Sequence, residues 1–145
     1  DYDRKIAKLA QEETARRLAE IPGIGPVTAT ALVATVGNAQ IFRNGREMAA
    51  WVGLVPRQNS SGGKTRLGRI TKHGDRYLRS LCVQGAMVVI RHLGEKSDPR
   101  SQWLCALVAR RGVQKAAVAM AAKTLRIAWA VMARNEAYRP ATVEL

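Results

Sequence analysis

Apolar residues recur at helical spacing along most of this 145-residue chain, and the alternation typical of strands is rare. The periodic stretches predict six helices, over residues 3–20, 27–36, 44–51, 76–92, 99–110 and 113–134. Asn44 and Asp75 stand where N-caps belong, and Pro99 stands at a first helical position. Glycines follow four of the predicted helices, at positions 37, 53, 94 and 112. The pattern therefore predicts a mainly α fold.

A proline- and glycine-rich stretch, residues 21–26, divides the chain. Residues 1–20 are interpreted as the end of a linker or coiled-coil helix from a missing N-terminal domain, because the chain begins inside a helical pattern without an initiator Met. Residues 21–145 are interpreted as a second domain. We expect a hairpin over residues 18–37, a Gly/Ser-rich basic loop over 56–74 and a helical core over 75–134. The apolar residues of the helix over 76–92 are expected to line a buried face: Leu78, Leu81, Cys82, Met87, Val88 and Val89.

The charge is strongly positive and unevenly placed. The formal net charge is +13, yet residues 1–20 hold five acids and five bases, so that residues 21–145 carry 19 bases against 6 acids. Such a field favours a polyanion, and nucleic acid is the commonest polyanion inside cells. A membrane-surface role is disfavoured because the bases are not confined to one helix face, and no apolar run reaches the roughly 18 residues of a membrane span. A helical interaction domain whose charge only aids solubility is the third class considered.

Cysteine and histidine give no sign of a metal site. Cys82 and Cys105 form no C-x-x-C pair, and neither His73 nor His92 has ligand-like spacing to them. The two cysteines are expected to be reduced core thiols. We predict no metal ligand and no cofactor in this part of the protein.

Residues 21–32 read IPGIGPVTATAL, which matches the helix-hairpin-helix pattern. Gly23 and Gly25 permit a tight turn, and the free N–H groups of the helix that follows form a site for one phosphate. Gly23, Gly25 and Thr28 are therefore candidate contacts to a nucleic-acid backbone, and such contacts carry no base specificity. The alternative to a phosphate-binding hairpin is an ordinary turn between two helices, in which proline and glycine only end one helix and start the next.

The loop RQNSSGGK, residues 57–64, is the second candidate site. It imitates the end of a nucleotide-binding P-loop, but Gln58 stands where that motif requires glycine, so ATP or GTP binding is rejected. Ser60 or Ser61 could attack a phosphodiester, or the loop could only cradle phosphates, and residue chemistry leaves both open. The basic side chains expected to bind nucleic acid here are Arg57, Lys64, Arg66, Arg69, Lys72, Arg76 and Arg79. Four of them, Arg57, Lys64, Arg66 and Arg69, could also stabilise the charge on a phosphoryl group under attack.

Several motifs in order carry a family resemblance: IPGIGP, then AWVGLVPRQ at 50–58, then SSGGK, then the basic run that follows. The chain resembles the C-terminal domain of insertion-sequence transposases related to the Piv/MooV DNA invertases, which are described as bridge-RNA-guided recombinases. The resemblance covers residues 18–92 closely and the remaining helices loosely. It implies a serine that links covalently to DNA, which falls on Ser61, with Ser60 as the alternative.

The same resemblance implies an N-terminal RuvC-like domain whose D-E-D-D cluster binds Mg²⁺. That domain is absent here, so this chain is expected to bind nucleic acid without recombining it unaided. The partners implied are DNA, a guide RNA and further copies of the protein, in the bacterial or archaeal cytoplasm at the nucleoid. A non-catalytic DNA- or RNA-binding module remains the alternative function.

Overall fold

The computed structural model describes residues 2–54 and 75–140, and all regular structure within those two ranges is helical. The helices are α1 Tyr2–Leu18, α2 Pro26–Val36, α3 Gly45–Val52, α4 Arg76–Arg91, α5 Pro99–Arg111 and α6 Val113–Arg134, with a 3-10 turn Ala39–Ile41 between α2 and α3. The prediction of a mainly α fold is confirmed. The predicted loop over 56–74 lies outside the described residues.

The helix ends follow from local capping. Asn44, Asp75 and Asp98 each accept a hydrogen bond through a side-chain oxygen from the backbone N–H three residues later, and this satisfies a donor that the helix itself leaves free. Gly53, at the end of α3, adopts a left-handed φ of 96°. Every predicted helix is present, with ends that differ from the prediction by two residues or fewer.

Helix α6 is the centre of the packing and contacts α1, α3, α4 and α5. Its buried positions include many alanines, whose small side chains let neighbouring helices approach closely. By length and hydropathy α6 resembles a membrane-crossing helix, but 56% of that stretch is buried inside the protein. It therefore occupies the position of a core helix.

Two glycines lie where neighbouring elements approach each other closely. A Cβ added to Gly45 would lie 2.8 Å from the Cα of Arg126, so α3 rests directly on the α6 backbone. A Cβ added to Gly85 in α4 would lie 1.9 Å from the carbonyl oxygen of Gly23. The turn between α1 and α2 is thus pressed against α4, and a side chain at position 85 has no room.

Burial corrects parts of the expected core. In α4 the buried positions are Leu78, Cys82 and Ala86, whereas Val88 is 47% exposed, contrary to the prediction. The other predicted core residues of this helix, Leu81, Met87 and Val89, are half-buried. Both cysteines are free, but Cys105 is exposed, so its assignment as a core thiol is wrong.

Candidate nucleic-acid interface

The turn between α1 and α2 is built on buried isoleucines and one glycine. Ile21 and Ile24 are buried, and the N–H of Ile24 donates to the carbonyl of Ile21 at 2.9 Å, which closes the turn. Gly23 has a φ of +99°, a conformation that L side chains rarely adopt, so glycine is required there. Gly25, by contrast, has a φ of −92° and nothing within 4 Å of an added Cβ. The tight turn was expected to require glycine at both positions, but the backbone conformation requires it only at Gly23.

The N-terminus of α2 presents free backbone donors. Gly25 is the N-cap and offers no capping side chain, Pro26 has no N–H, and the first intrahelical bond runs from Ala29 to Gly25. The N–H groups of Val27 and Thr28 therefore have no acceptor within the helix. Residues 25–27 are exposed, and no acid lies in the first turn of α2. This end of the helix combines free donors with the positive end of the helix dipole.

The predicted contact between Thr28 and a phosphate is limited by the burial of this residue. Thr28 as a whole residue is only 6% exposed, so its side chain has little access to an anion and its contact is limited to the main-chain N–H at the helix end. Its predicted role thus depends on the main chain.

The predicted basic residues divide into two groups. Arg76 and Arg79 lie in the first turn of α4, where Arg76 is exposed, Arg79 is half-buried and neither forms an ion pair with a described residue. Because Gly85 touches Gly23, Arg76 lies about 14 Å and Arg79 about 9 Å along α4 from that contact. The remaining predicted site residues lie outside the described residues: Arg57, Ser60, Ser61, Lys64, Arg66, Arg69 and Lys72.

Sequence reasoning missed a second cationic cluster, between α5 and α6. Lys123 is only 4% exposed, and its Nζ lies 3.7 Å from the centroid of the Trp103 ring. Burial, with added repulsion from Arg126 and Arg100, lowers the pKa of Lys123 to about 8. No described carboxylate lies within ion-pair distance of its ammonium. The sequence signal was a lysine in the middle of an alanine-rich helix.

Acidic and thiol groups provide no reactive centre in the described parts of the chain. No group of three or more His, Cys, Asp or Glu residues that could hold a metal ion occurs within residues 2–54 and 75–140. Burial raises the pKa of the Cys82 thiol to about 12, which keeps it protonated at neutral pH.

Comparison with known proteins gives a consistent family signal. Residues 15–102 match the family described as "Transposase IS116/IS110/IS902 family". A probable family 20 transposase from Pseudomonas aeruginosa is 51% identical over 125 residues, which cover 86% of this chain and 37% of that protein. The transposase for insertion sequence element IS1111A from Coxiella burnetii is 43% identical over 140 residues, 96% of this chain and 38% of that protein.

More distant relatives include a pilin gene-inverting protein from Moraxella lacunata. It is 30% identical over 133 residues, which cover 83% of this chain and 37% of that protein. No solved structure matches the chain. The chain thus spans well under half the length of the curated relatives that it matches.

Proposed function

The chain belongs to the IS116/IS110/IS902 family of transposases, and on that basis we propose that it binds nucleic-acid backbone and supplies a serine nucleophile for DNA strand exchange. The turn between α1 and α2 anchors a phosphate, and Ser61, with Ser60 as the alternative, attacks the DNA. DNA is the substrate and a guide RNA is a partner. The protein acts as an oligomer at the nucleoid of the cytoplasm.

The observation that carries the binding part of this proposal is the uncapped N-terminus of α2. The N–H groups of Val27 and Thr28 have no acceptor within the helix, and residues 25–27 at this helix end are exposed. Backbone donors at a helix N-terminus bind phosphate without reading a base. A backbone anchor of this kind suits a protein that must hold DNA of differing sequence.

The proposed chemistry is a transesterification. The serine oxygen forms a phosphoester bond with the DNA phosphorus, the deoxyribose oxygen leaves, and the hydroxyl proton ends on that oxygen. Serine is a weak nucleophile, so the reaction depends on groups that stabilise the charge on the phosphoryl oxygens. Lys64 and the neighbouring arginines Arg57, Arg66 and Arg69 are assigned this role, and Arg76 and Arg79, at the start of α4, are assigned to backbone binding.

Mg²⁺ belongs to the acidic domain that the family resemblance implies. The described ranges group no acids that would hold the ion, so no step of the proposed chemistry in this chain runs through it. The curated relatives are long enough to contain a further domain. We propose that such a domain supplies the ion.

Binding is expected to depend steeply on salt. If about six phosphates are engaged, affinity for duplex DNA should fall by about 10³-fold between about 50 and 200 mM monovalent salt, because bound counterions are released when phosphates are neutralised. Fluorescence anisotropy with a labelled duplex measures this slope. Affinity that does not change with salt would contradict backbone binding.

Position 25 offers a test of the helix end that leaves the fold intact. Gly25→Asp is expected to weaken duplex binding by about tenfold, because the carboxylate accepts hydrogen bonds from the free N–H groups of Val27 and Thr28 and repels phosphate. Aspartate is a favoured N-cap, so the variant should unfold at the same temperature as the parent or a higher one. Affinity and thermal midpoint are measured on the same samples.

Two further replacements at this position separate charge from capping. Gly25→Asn caps the helix without charge and should lose less affinity than the aspartate variant. Gly25→Ala leaves the donors free and should bind as the parent does, since an added Cβ has nothing within 4 Å. Equal affinity for all three variants would remove the N-terminus of α2 from the proposed interface.

A further inference from the structure

A groove of about 740 Å³ lies between α5 and α6, with Gly53 and Leu54 at the end of α3 among its lining residues. Apolar surface dominates its lining and includes Trp103, Leu107 and Val118. Cationic side chains complete it, and Arg111 and Lys115 among them are exposed. We call this feature the α5–α6 groove.

The charge of the α5–α6 groove is of one sign. Arg111, Lys115 and Arg126 line it, and none of the lining residues that the structure describes is acidic. Lys123, buried against the Trp103 ring, adds a further charge that no described carboxylate pairs. Residues 55–74, which follow Leu54 in the chain, contain no Asp or Glu. Neither the described residues nor residues 55–74 supply an acidic partner for this surface, so it suits an anionic ligand.

We propose that the α5–α6 groove binds an unpaired strand of nucleic acid, with bases against Trp103 and the apolar lining and with phosphates at Arg111, Lys115 and Arg126. The proposal rests on the proposed nucleic-acid function and names a second site for it, apart from the N-terminus of α2. Aromatic surface combined with a positive groove is the means by which proteins hold single strands without strong sequence preference.

The dimensions of the groove suit a strand. Lys115 and Arg126 are eleven residues apart on α6, which is about 16 Å along the helix axis. At about 3.4 Å per stacked nucleotide, that length corresponds to about five nucleotides. The two cations thus contact phosphates several nucleotides apart, while the apolar surface between them faces the bases. A duplex would leave that apolar surface unused, because its bases are stacked against one another.

Charge reversal at Lys115 tests the groove. Lys115→Glu is expected to lower affinity for a labelled oligothymidine by about tenfold and to reduce the salt slope by about 0.7 to 1.4, the contribution of one or two phosphates of a single strand. Lys96→Glu is the matched control, because Lys96 is exposed and does not line the groove. The two variants have the same net charge. Duplex affinity should change equally in the two variants.

Val118 provides a second variant on the exposed, apolar part of the groove, where it is 41% exposed and a polar replacement leaves the fold intact. Val118→Glu should lower single-strand affinity by about fivefold or more. Val118→Gln, which introduces a side chain of the same shape without the charge, should lose less. The proposal is overturned if Lys115→Glu and Lys96→Glu weaken the single strand equally, or if Val118→Glu leaves that affinity unchanged.

The occupant is tested by competition. A polyglutamate peptide is the competitor. If it displaces the oligothymidine at equal concentration, and if Val118→Glu weakens peptide binding as much as it weakens oligothymidine binding, the groove binds acidic protein segments and the proposal is overturned. Failure of the groove differs from failure of the proposed function. If the Gly25 series behaves as expected while Lys115→Glu matches its control, the groove assignment alone is wrong. If the 145-residue chain binds neither duplex nor single strand, both are wrong.

Discussion

Gly85→Ala is expected to destabilise the protein by about 3 kcal/mol, although glycine to alanine inside a helix ordinarily stabilises by about 1 kcal/mol. The reason is the contact between α4 and the turn that joins α1 and α2. A Cβ at position 85 would lie 1.9 Å from the carbonyl oxygen of Gly23 and 2.9 Å from its carbonyl carbon. These atoms belong to the main chain of a turn closed by buried isoleucines, so α4 and the turn must separate.

The expected change is large enough to measure by thermal unfolding. For a protein of this size, 3 kcal/mol corresponds to a fall in Tm of about 10 °C. Circular dichroism at the helical band gives the midpoint, and urea unfolding gives the free energy directly. Gly25→Ala is the control, because its backbone is unstrained and its surroundings are open, and its cost should stay below about 1 kcal/mol. A Gly85→Ala variant as stable as the parent would show that the two elements are not in contact.

The sequence contained no sign of this contact. Gly85 lies inside a regular helical pattern, and such a pattern identifies a face without saying which backbone will approach it. Gly45 is a second instance, since it follows a visible N-cap signal at Asn44 but is fixed by its contact with Arg126 on a helix about 80 residues away in sequence. Contacts of this kind depend on tertiary arrangement, which local patterns do not encode.

Helix ends were predictable because their causes are local. The capping side chains of Asn44, Asp75 and Asp98 each accept a hydrogen bond from a backbone N–H only three residues away in the chain. The glycine that ends α3 adopts the backbone conformation that its residue type favours. Nothing distant in the chain is needed for either feature, so the six helices could be read from the sequence.

Burial was harder to predict, since a helix has apolar residues on more than one side. The buried line of α4 runs through Leu78, Cys82 and Ala86, at intervals of four residues. Val88 follows Ala86 by two residues, which is about 200° around the helix, so it faces solvent despite its apolar side chain. Cys105 similarly follows the buried Leu104 by one residue and turns away from the core.

The candidate interface was predictable in part. The glycine pattern at residues 21–26 located a tight turn before α2, and the structure adds that this helix end is uncapped and that residues 25–27 are exposed. The cluster of Lys123, Trp103 and Arg126 was missed because its members come from two helices. Ser60 and Ser61 lie outside the described residues, so their assignment stays a prediction.

Ser61→Ala is expected to abolish the covalent protein–DNA product, with a fall in rate on the order of 10⁴-fold or more, because a nucleophile has no substitute within the same site. The assay requires a full-length protein that carries this domain together with the acidic domain implied by the family resemblance. Donor and target DNA and the proposed guide RNA are supplied, and the adduct is detected as labelled DNA that remains attached to denatured protein.

Ser60→Ala is the matched control, since it removes the same atom one residue earlier. It should retain adduct formation, and both variants should keep the parent's affinity for duplex DNA, because backbone binding is assigned to other groups. Loss of the adduct in Ser60→Ala alone would transfer the nucleophile to that residue. An adduct that persists in both single variants and in the double variant would contradict serine chemistry in this segment. The protein would then bind DNA through the N-terminus of α2 and its basic residues, and the nucleophile would have to come from elsewhere.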